Sequence, residues 1–292
     1  TILIDGRPSS MSGGNGKTLL DALPANSIER VEIVTNPSAK YDPDGTSGII
    51  NIVLKKNKLL GFNGMVSTNL ASGDLTGGNV GEGSMSLSYR NGNVNVFGTY
   101  NARYLEGYRN NYNDIRQELT TGVFLLDQNR TGTDLDAGQT FRVGTDINLN
   151  PRNTIGFVAT GSLTRRDRTG DLWNAQLNEA GQITNLWERS SYDPTDRQNL
   201  DLNINYKHDF KKERGNLILD VNQSLGTENI EGYYINTYYN PDSTLSNIPV
   251  LDQRLFNTDK NNITTAQADL TYLFPKLGLR TEAGLKAILR DQ

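Results

Sequence analysis

The chain of 292 residues has room for one or two domains and a sizeable core, yet only 35% of it is hydrophobic, beside 29 Gly and 13 Tyr. Disorder is excluded by abundant, periodically placed aromatic and β-branched residues. Zero Cys and a single His exclude disulfides and Cys-ligated metals and leave little for a zinc site or a Ser-His-Asp triad, while a net charge of −4 with interspersed signs carries no nucleic-acid footprint.

In chain order, TILID reads as a short strand, GRPSSMSGGNG as a loop and KTLLDAL as a short helix stopped at Pro24. NSIER reads as one helical turn capped by Asn26 or Ser27. VEIVT is a strand, NPSAKYDPDGTSG a polar loop, and GIINIVLKK a further strand. In that last strand Ile50, Ile52 and Leu54 lie on one face and Ile49 and Val53 on the other, as in a strand sandwiched within a core. Residues 1–57 therefore read as a small mixed α/β unit. The chain opens without an initiator Met or a signal segment, so a piece of a longer protein is expected.

Beyond Lys58 the pattern changes to strict alternation. Met85, Leu87 and Tyr89 share a face, as do Phe141 to Leu149, Ile155 to Leu163, Leu200 to Phe210, Leu217 to Leu225, Ala266 to Phe274 and Leu279 to Leu289, each taken at every second residue. A period of two means strands with one apolar face. With strands near 60–72 and 94–106, about nine are expected. No run approaches the roughly 20 apolar residues of a membrane helix. Short turns fall at 90–93, 150–153, 211–215 and 274–278, and long polar excursions at 73–82, 107–138, 166–195 and 228–262. Short turns at one end and long loops at the other are the plan of an outer-membrane barrel. Asp201, Asn203, Asn205 and Lys207 would then line a wet lumen, and Tyr89, Tyr206, Phe210, Tyr272 and Phe274 would form an aromatic girdle beside the short turns. The expected fold is mainly β: a partial antiparallel transmembrane β-barrel (58–292) preceded by the end of a small α/β domain (1–57).

The first 60 residues closely resemble the C-terminal half of the plug domain of TonB-dependent outer-membrane receptors. The matching residues are Ile4-Asp5-Gly6, then Ile28-Glu29-Arg30-Val31-Glu32-Ile33, then Asn36-Pro37-Ser38-Ala39, with Gly45 in the loop, and Gly48-Ile49-Ile50-Asn51-Ile52. The variant NPSAKYDPDGTSGIINIVLKK is similar to the outer-membrane β-barrel proteins common in Bacteroidota. The resemblance implies a Gram-negative outer membrane, with lipid around the barrel and an energising TonB-type inner-membrane complex as partner. It implies an extracellular small ligand or peptide, a possible surface lipoprotein partner, no cofactor and no enzymatic activity. The N-terminal half of the plug and the TonB box are missing from the match. Barrels of this class have about 22 strands, so nine leave the last strand with an open edge.

Other motifs weigh less. GGNGKT (13–18) resembles a phosphate-binding loop, but Met11 stands where its first Gly belongs, and LILD (217–220) lies in an amphipathic strand. DPDG (42–45) suggests a calcium loop, but Lys40 and Asn51 occupy ligand positions, so a turn is expected. Asp134, Asp136, Asp193 and Asp196 read as solvated loop acids, and His208 as a rim residue. The candidate ligand-binding residues are the loop aromatics Tyr233, Tyr234, Tyr238 and Tyr239, with Trp173 and Trp187 on another loop, because Tyr and Trp give rigid amphipathic contact area. Two functions remain open. One is import of a siderophore, cobalamin, glycan or peptide by plug displacement; the other is a barrel for adhesion or surface-complex assembly without import.

Overall fold

The computed structural model describes residues 2–4, 7–8, 28–34, 49–54, 60–73, 78–119 and 122–291. The expected helix at 17–23, the GGNGKT and DPDG motifs, the loop at 36–48 and the matched residues Asp5, Gly6, Asn36, Pro37, Gly45 and Gly48 lie outside the described residues.

Four short strands form one sheet: β1 (Ile2–Ile4), β2 (Arg7–Pro8), β3 (Ile28–Val34) and β4 (Ile49–Leu54). Their order is β2-β1-β4-β3, with β1 parallel to β4 and the other pairs antiparallel. Residues 28–30 are extended, contrary to the helical turn expected there, because Ile28 and Arg30 pair with Leu54 and Val53 around a bulge. The expectation of two apolar faces on β4 is also corrected. Ile52 is buried, but Ile50 is exposed, and the polar Asn51 is buried. Its amide donates to Glu32 Oε2 at 2.7 Å, while Arg30 Nε donates to Glu32 Oε1 at 2.8 Å. Three of the matched motif residues thus form one hydrogen-bonded group across β3 and β4.

The second sheet is an antiparallel meander of nine strands in sequence order. It runs β5 (Gly61–Gly73), β6 (Gly78–Asn91), β7 (Val94–Leu119), β8 (Gly122–Asn150), β9 (Asn153–Leu177), β10 (Ile183–Asp209), β11 (Gly215–Tyr239), β12 (Leu251–Phe274) and β13 (Leu279–Asp291). Among the described residues β5 pairs only with β6, and β13 only with β12, so both edges are open.

The alternation is inside out. Along β9, Leu163 is 51% exposed and its neighbour Ser162 1%; along β10, Ile204 is 53% exposed and Asn203 6%. The buried polar residues Asn95, Asn101, Thr140, Thr160, Asn174, Asp201, Asn222, Ser224, Asn236 and Thr265 all fall on the Ser162 face by register. Exposed apolar residues such as Val96, Val143, Phe157, Leu202, Val221 and Leu270 lie on the other. A soluble sheet buries its apolar face; a transmembrane barrel wall turns it outward and keeps a polar interior.

The outward apolar stretches are short: 141–149, 155–163, 200–208 and 217–225. Each has about nine residues, the length a tilted strand needs to cross the hydrocarbon. The short turns close one end of this belt. Gly92, at φ 53°, makes the two-residue turn between β6 and β7. Asn150 Oδ1 accepts the Arg152 amide at 3.0 Å and the Asn153 side chain at 2.7 Å between β8 and β9. The expected girdle sits beside these turns. His208 and Phe210 (5.1 Å), Phe210 and Tyr272 (5.3 Å), and Tyr272 and Phe274 (4.8 Å) form an edge-to-face chain of rings. Asn153 Oδ1 accepts from Tyr206 Oη at 2.6 Å and lies 2.7 Å from His208 Nδ1. Asn153→Ala leaves both groups seeking water, with an expected cost of about 1–2 kcal/mol. The check is a lowered urea midpoint for the full-length protein in liposomes.

Among the described residues most of the long polar excursions is strand, not loop. β7 to β12 continue through them, with 26, 29, 25, 27, 25 and 24 residues. At about 3.3 Å per residue the 27 residues of β10 extend about 90 Å, well past any bilayer. The described connections at that end shrink to 178–182 and 240–250.

Candidate functional site

The two faces of the wall beyond the apolar belt differ in chemistry. The inward face carries a ladder of ion pairs between neighbouring strands. Arg103 meets Glu82 at 3.4 Å, Arg109 meets Asp134 at 3.1 Å, Arg166 meets Asp136 at 2.6 Å and Arg197 meets Glu228 at 2.6 Å. Arg168 adds a second cation to Asp134 at 3.7 Å. A cleft of about 50 Å³ opens among Asn101, Arg103, Asp136, Thr140, Arg166 and Arg197. Partly buried pairs of this kind hold strand against strand where no apolar core does so.

Above the ladder, the inward face turns aromatic. Arg189 lies over the Tyr234 ring, 4.3 Å from its centroid. The Tyr234 hydroxyl is hydrogen-bonded to Asp193, and that bond, with burial second, raises its pKa above the ordinary value of 10.0. The phenol therefore stays neutral and able to donate. Trp187 and Tyr238 are register partners on the same face, next to the buried Asn236. Asn174, opposite Trp187 on β9, accepts from Gln128 Nε2 at 2.8 Å. The result is an amphipathic wall of rings, amides and one guanidinium facing inward.

The outward face carries different partners. Trp173 and Tyr239 stand 5.0 Å apart between centroids, and Tyr239 Oη donates to Glu188 Oε2 at 3.1 Å. Burial first and Glu188 second raise the pKa of Tyr239. Nearer the belt, Tyr192 and Tyr233 stack at 6.0 Å and 19°, and Phe256 meets Tyr233 edge-on at 6.0 Å. Tyr233 Oη donates to Glu231 Oε2 at 2.7 Å, the main cause of its raised pKa.

The six aromatic residues singled out from the sequence are thus neither on loops nor in one cluster. Tyr233, Tyr239 and Trp173 face outward, while Tyr234, Tyr238 and Trp187 face inward, because adjacent residues of a strand point to opposite sides. Asp134 and Asp136, expected as solvated acids, are paired with arginines. Among the described residues no three His, Cys, Asp or Glu side chains converge on a metal position.

Residues 1–49 match the family model of the TonB-dependent Receptor Plug Domain. Those residues are the plug part of the chain. Plug domains of this family belong to the Gram-negative outer membrane, and the inverted nine-stranded wall is the structure that location requires. Solved receptors resemble the chain at low identity. The siderophore receptor PiuA from Acinetobacter baumannii is 12% identical over 99% of this chain and 53% of its own, with a TM-score of 0.44. The ferric enterobactin receptor PfeA is 11% identical over 93% and 54%, with a TM-score of 0.45. The ferric citrate transporter FecA is 13% identical over 99% and 50%, with a TM-score of 0.36. The chain spans about half the length of these structures.

Within the chain the plug motif residues Glu29, Arg30, Glu32 and Asn51 are described and grouped on β3 and β4. Sequence reasoning missed Arg189 and the inward arginines, and read Asp193, the partner of Tyr234, as a solvated acid. The usable signal was parity: Arg103 and Arg109, Arg166 and Arg168, and Arg189 and Arg197 each sit an even number of residues apart, on one strand face.

Proposed function

We propose that the receptor captures an extracellular nutrient on the inward wall beyond the apolar belt and imports it when its plug is displaced. The observation that carries this reading is the inward group of Tyr234, Arg189, Trp187 and Tyr238. It combines rigid ring area with directed polar groups on the face a plug would close. The plug portion ends near residue 57 and the wall occupies 58–292. Lipid contacts the outward belt, and a TonB-type inner-membrane complex supplies the energy. The cargo is a siderophore, cobalamin, glycan or peptide, and the chain catalyses no reaction. The loop and strand sequence at 36–56 supports a Bacteroidota-type receptor.

The experiment is uptake by cells expressing the full-length receptor, with and without the energising complex. Tyr234→Ala is expected to weaken ligand capture about tenfold, or about 1.4 kcal/mol. Tyr234→Phe, which keeps the ring over Arg189, should lose less. Uptake that ignores both Tyr234 and the energising complex would end the import reading. A second reading, adhesion or docking of a surface lipoprotein without import, is favoured by the outward placement of Trp173 and Tyr239. It predicts that Trp173→Ala abolishes partner capture while energisation has no effect.

A further inference from the structure

The outward face holds a second pocket that faces away from the lumen and therefore away from the cargo. It has a volume of about 290 Å³ and is lined by Arg165, Tyr192, Pro194, Asp196, Asn229, Glu231 and Tyr233. That is close to the lower end of ligand pockets, roughly 300 Å³. Its origin lies in the sequence. β10 pairs with β11 over 186–192 and again over 195–209, but not at Asp193 and Pro194. Proline has no N–H to give to a ladder, so the strands part at that point. The gap opens directly beside the stacked rings of Tyr192 and Tyr233.

The height of the pocket names its surroundings. Arg165 lies two residues beyond Leu163, the end of the apolar stretch of β9; Tyr192 and Tyr233 lie eight beyond Leu200 and Leu225. With about 3.3 Å per residue and a tilt near 40°, the pocket spans roughly 5–20 Å above the hydrocarbon. The polar interface of a leaflet is about 5–8 Å deep. Only lipid headgroups large enough to rise beyond it can fill the site from the side.

Charge narrows the chemistry further. The Arg165 guanidinium is occupied by Asp167 at 3.1 Å, and Tyr192 Oη donates to the same carboxylate at 3.4 Å. Asp196 and Glu231 remain on the lining, so phosphate is disfavoured. Carboxylates accept hydrogen bonds from hydroxyls, an amide both donates and accepts, and a tyrosine face receives the apolar side of a ring. The geometry points to a binding site for the saccharide headgroup of an outer-leaflet glycolipid. A sugar ring lies against Tyr192 and Tyr233 while its hydroxyls donate to Asp196 and Glu231 and engage Asn229. The site ties the tall wall to the surface glycan layer around it and plays no part in import.

The test uses the full-length receptor in phosphatidylcholine nanodiscs. Native mass spectrometry counts retained molecules after exposure to rough-type lipopolysaccharide, to its delipidated core oligosaccharide, or to phosphatidylglycerol. Asp196→Asn and Tyr192→Ser are compared with Tyr192→Phe, after a check that each variant keeps the heat-modifiable mobility of a folded barrel. The expected result is about tenfold weaker retention of rough lipopolysaccharide and of core oligosaccharide by Asp196→Asn and Tyr192→Ser. Tyr192→Phe should retain both near wild type, phosphatidylglycerol should not change, and uptake should stay at the wild-type level. Equal lipopolysaccharide retention by all variants overturns the proposal. So does a parallel loss of phosphatidylglycerol, which would make the rings an ordinary aromatic girdle. Loss of uptake together with glycolipid retention also overturns the proposal, since the site is assigned no part in import.

Discussion

Val221→Arg is expected to cost about 2–4 kcal/mol, enough to impair stable insertion of the receptor. Val221 is the midpoint of the outward stretch 217–225 on β11 and is 49% exposed, whereas the adjacent Asn222 is 4% exposed. The cost arises because a guanidinium on that face has hydrocarbon around it and too far to reach for water. Thr227→Arg provides the matched comparison. It lies on the same face of the same strand, two residues beyond Leu225, and its cost should fall to about 0–1 kcal/mol. Urea midpoints of the full-length protein in liposomes read both. Similar small losses at the two depths would mean that the outward face is not in a bilayer.

That depth dependence also explains what could be read from the sequence. Between 217 and 225 lipid lies on one side of the strand and water on the other, so Leu217, Leu219, Val221 and Leu225 alternate with Ile218, Asp220, Asn222 and Ser224. The strand number, the short turns and the girdle all follow from that alternation. Beyond the belt both faces meet water, and the constraint that produces a period of two is gone. RRDRTGDLW (165–173) carries no such pattern, although β9 runs straight through it. The strands persist there because hydrogen-bonded ladders and cross-strand pairs such as Arg166–Asp136 hold them, and those partners are 30 residues apart in sequence.

The misreading of the aromatics follows from the same gap. If 231–239 is a loop, Tyr233 and Tyr234 form one cluster; if it is a strand, they face opposite sides. The first six residues of that segment, EGYYIN, suit either state, and only the unbroken register with β12 and the pairing with β10 on either side of Glu231 and Gly232 decide. In the plug portion, by contrast, the motif residues were legible but their purpose was not. Glu32 and Asn51 stand 19 residues apart, and nothing local indicates that one amide and one guanidinium share the Glu32 carboxylate.

Two glycines in the belt separate flexible from fixed neighbours, and replacing them should give different outcomes. At Gly161, facing outward on β9, the three atoms nearest to an added Cβ all belong to the ring of Phe141, its register partner on β8. At Gly144, facing inward on β8, a Cβ falls 2.5 Å from Phe97 Cζ and also 2.7 Å from the backbone oxygen of Phe157. A ring can rotate away, whereas a carbonyl fixed in the β8–β9 ladder cannot move without parting the strands. Overpacking of this kind costs about 1–3 kcal/mol, so Gly144→Ala should lie at the upper end and Gly161→Ala at the lower. The deciding measurement is a pair of double-mutant cycles in liposomes. Gly161→Ala should become nearly neutral when Phe141→Leu removes the ring. Gly144→Ala should keep most of its cost when Phe97→Leu does the same, since the Phe157 carbonyl remains. If both glycines were rescued equally by losing their aromatic partner, the close approach of β8 to β9 at Gly144 would be wrong, and the register placing Gly144 opposite Val158 would have to shift.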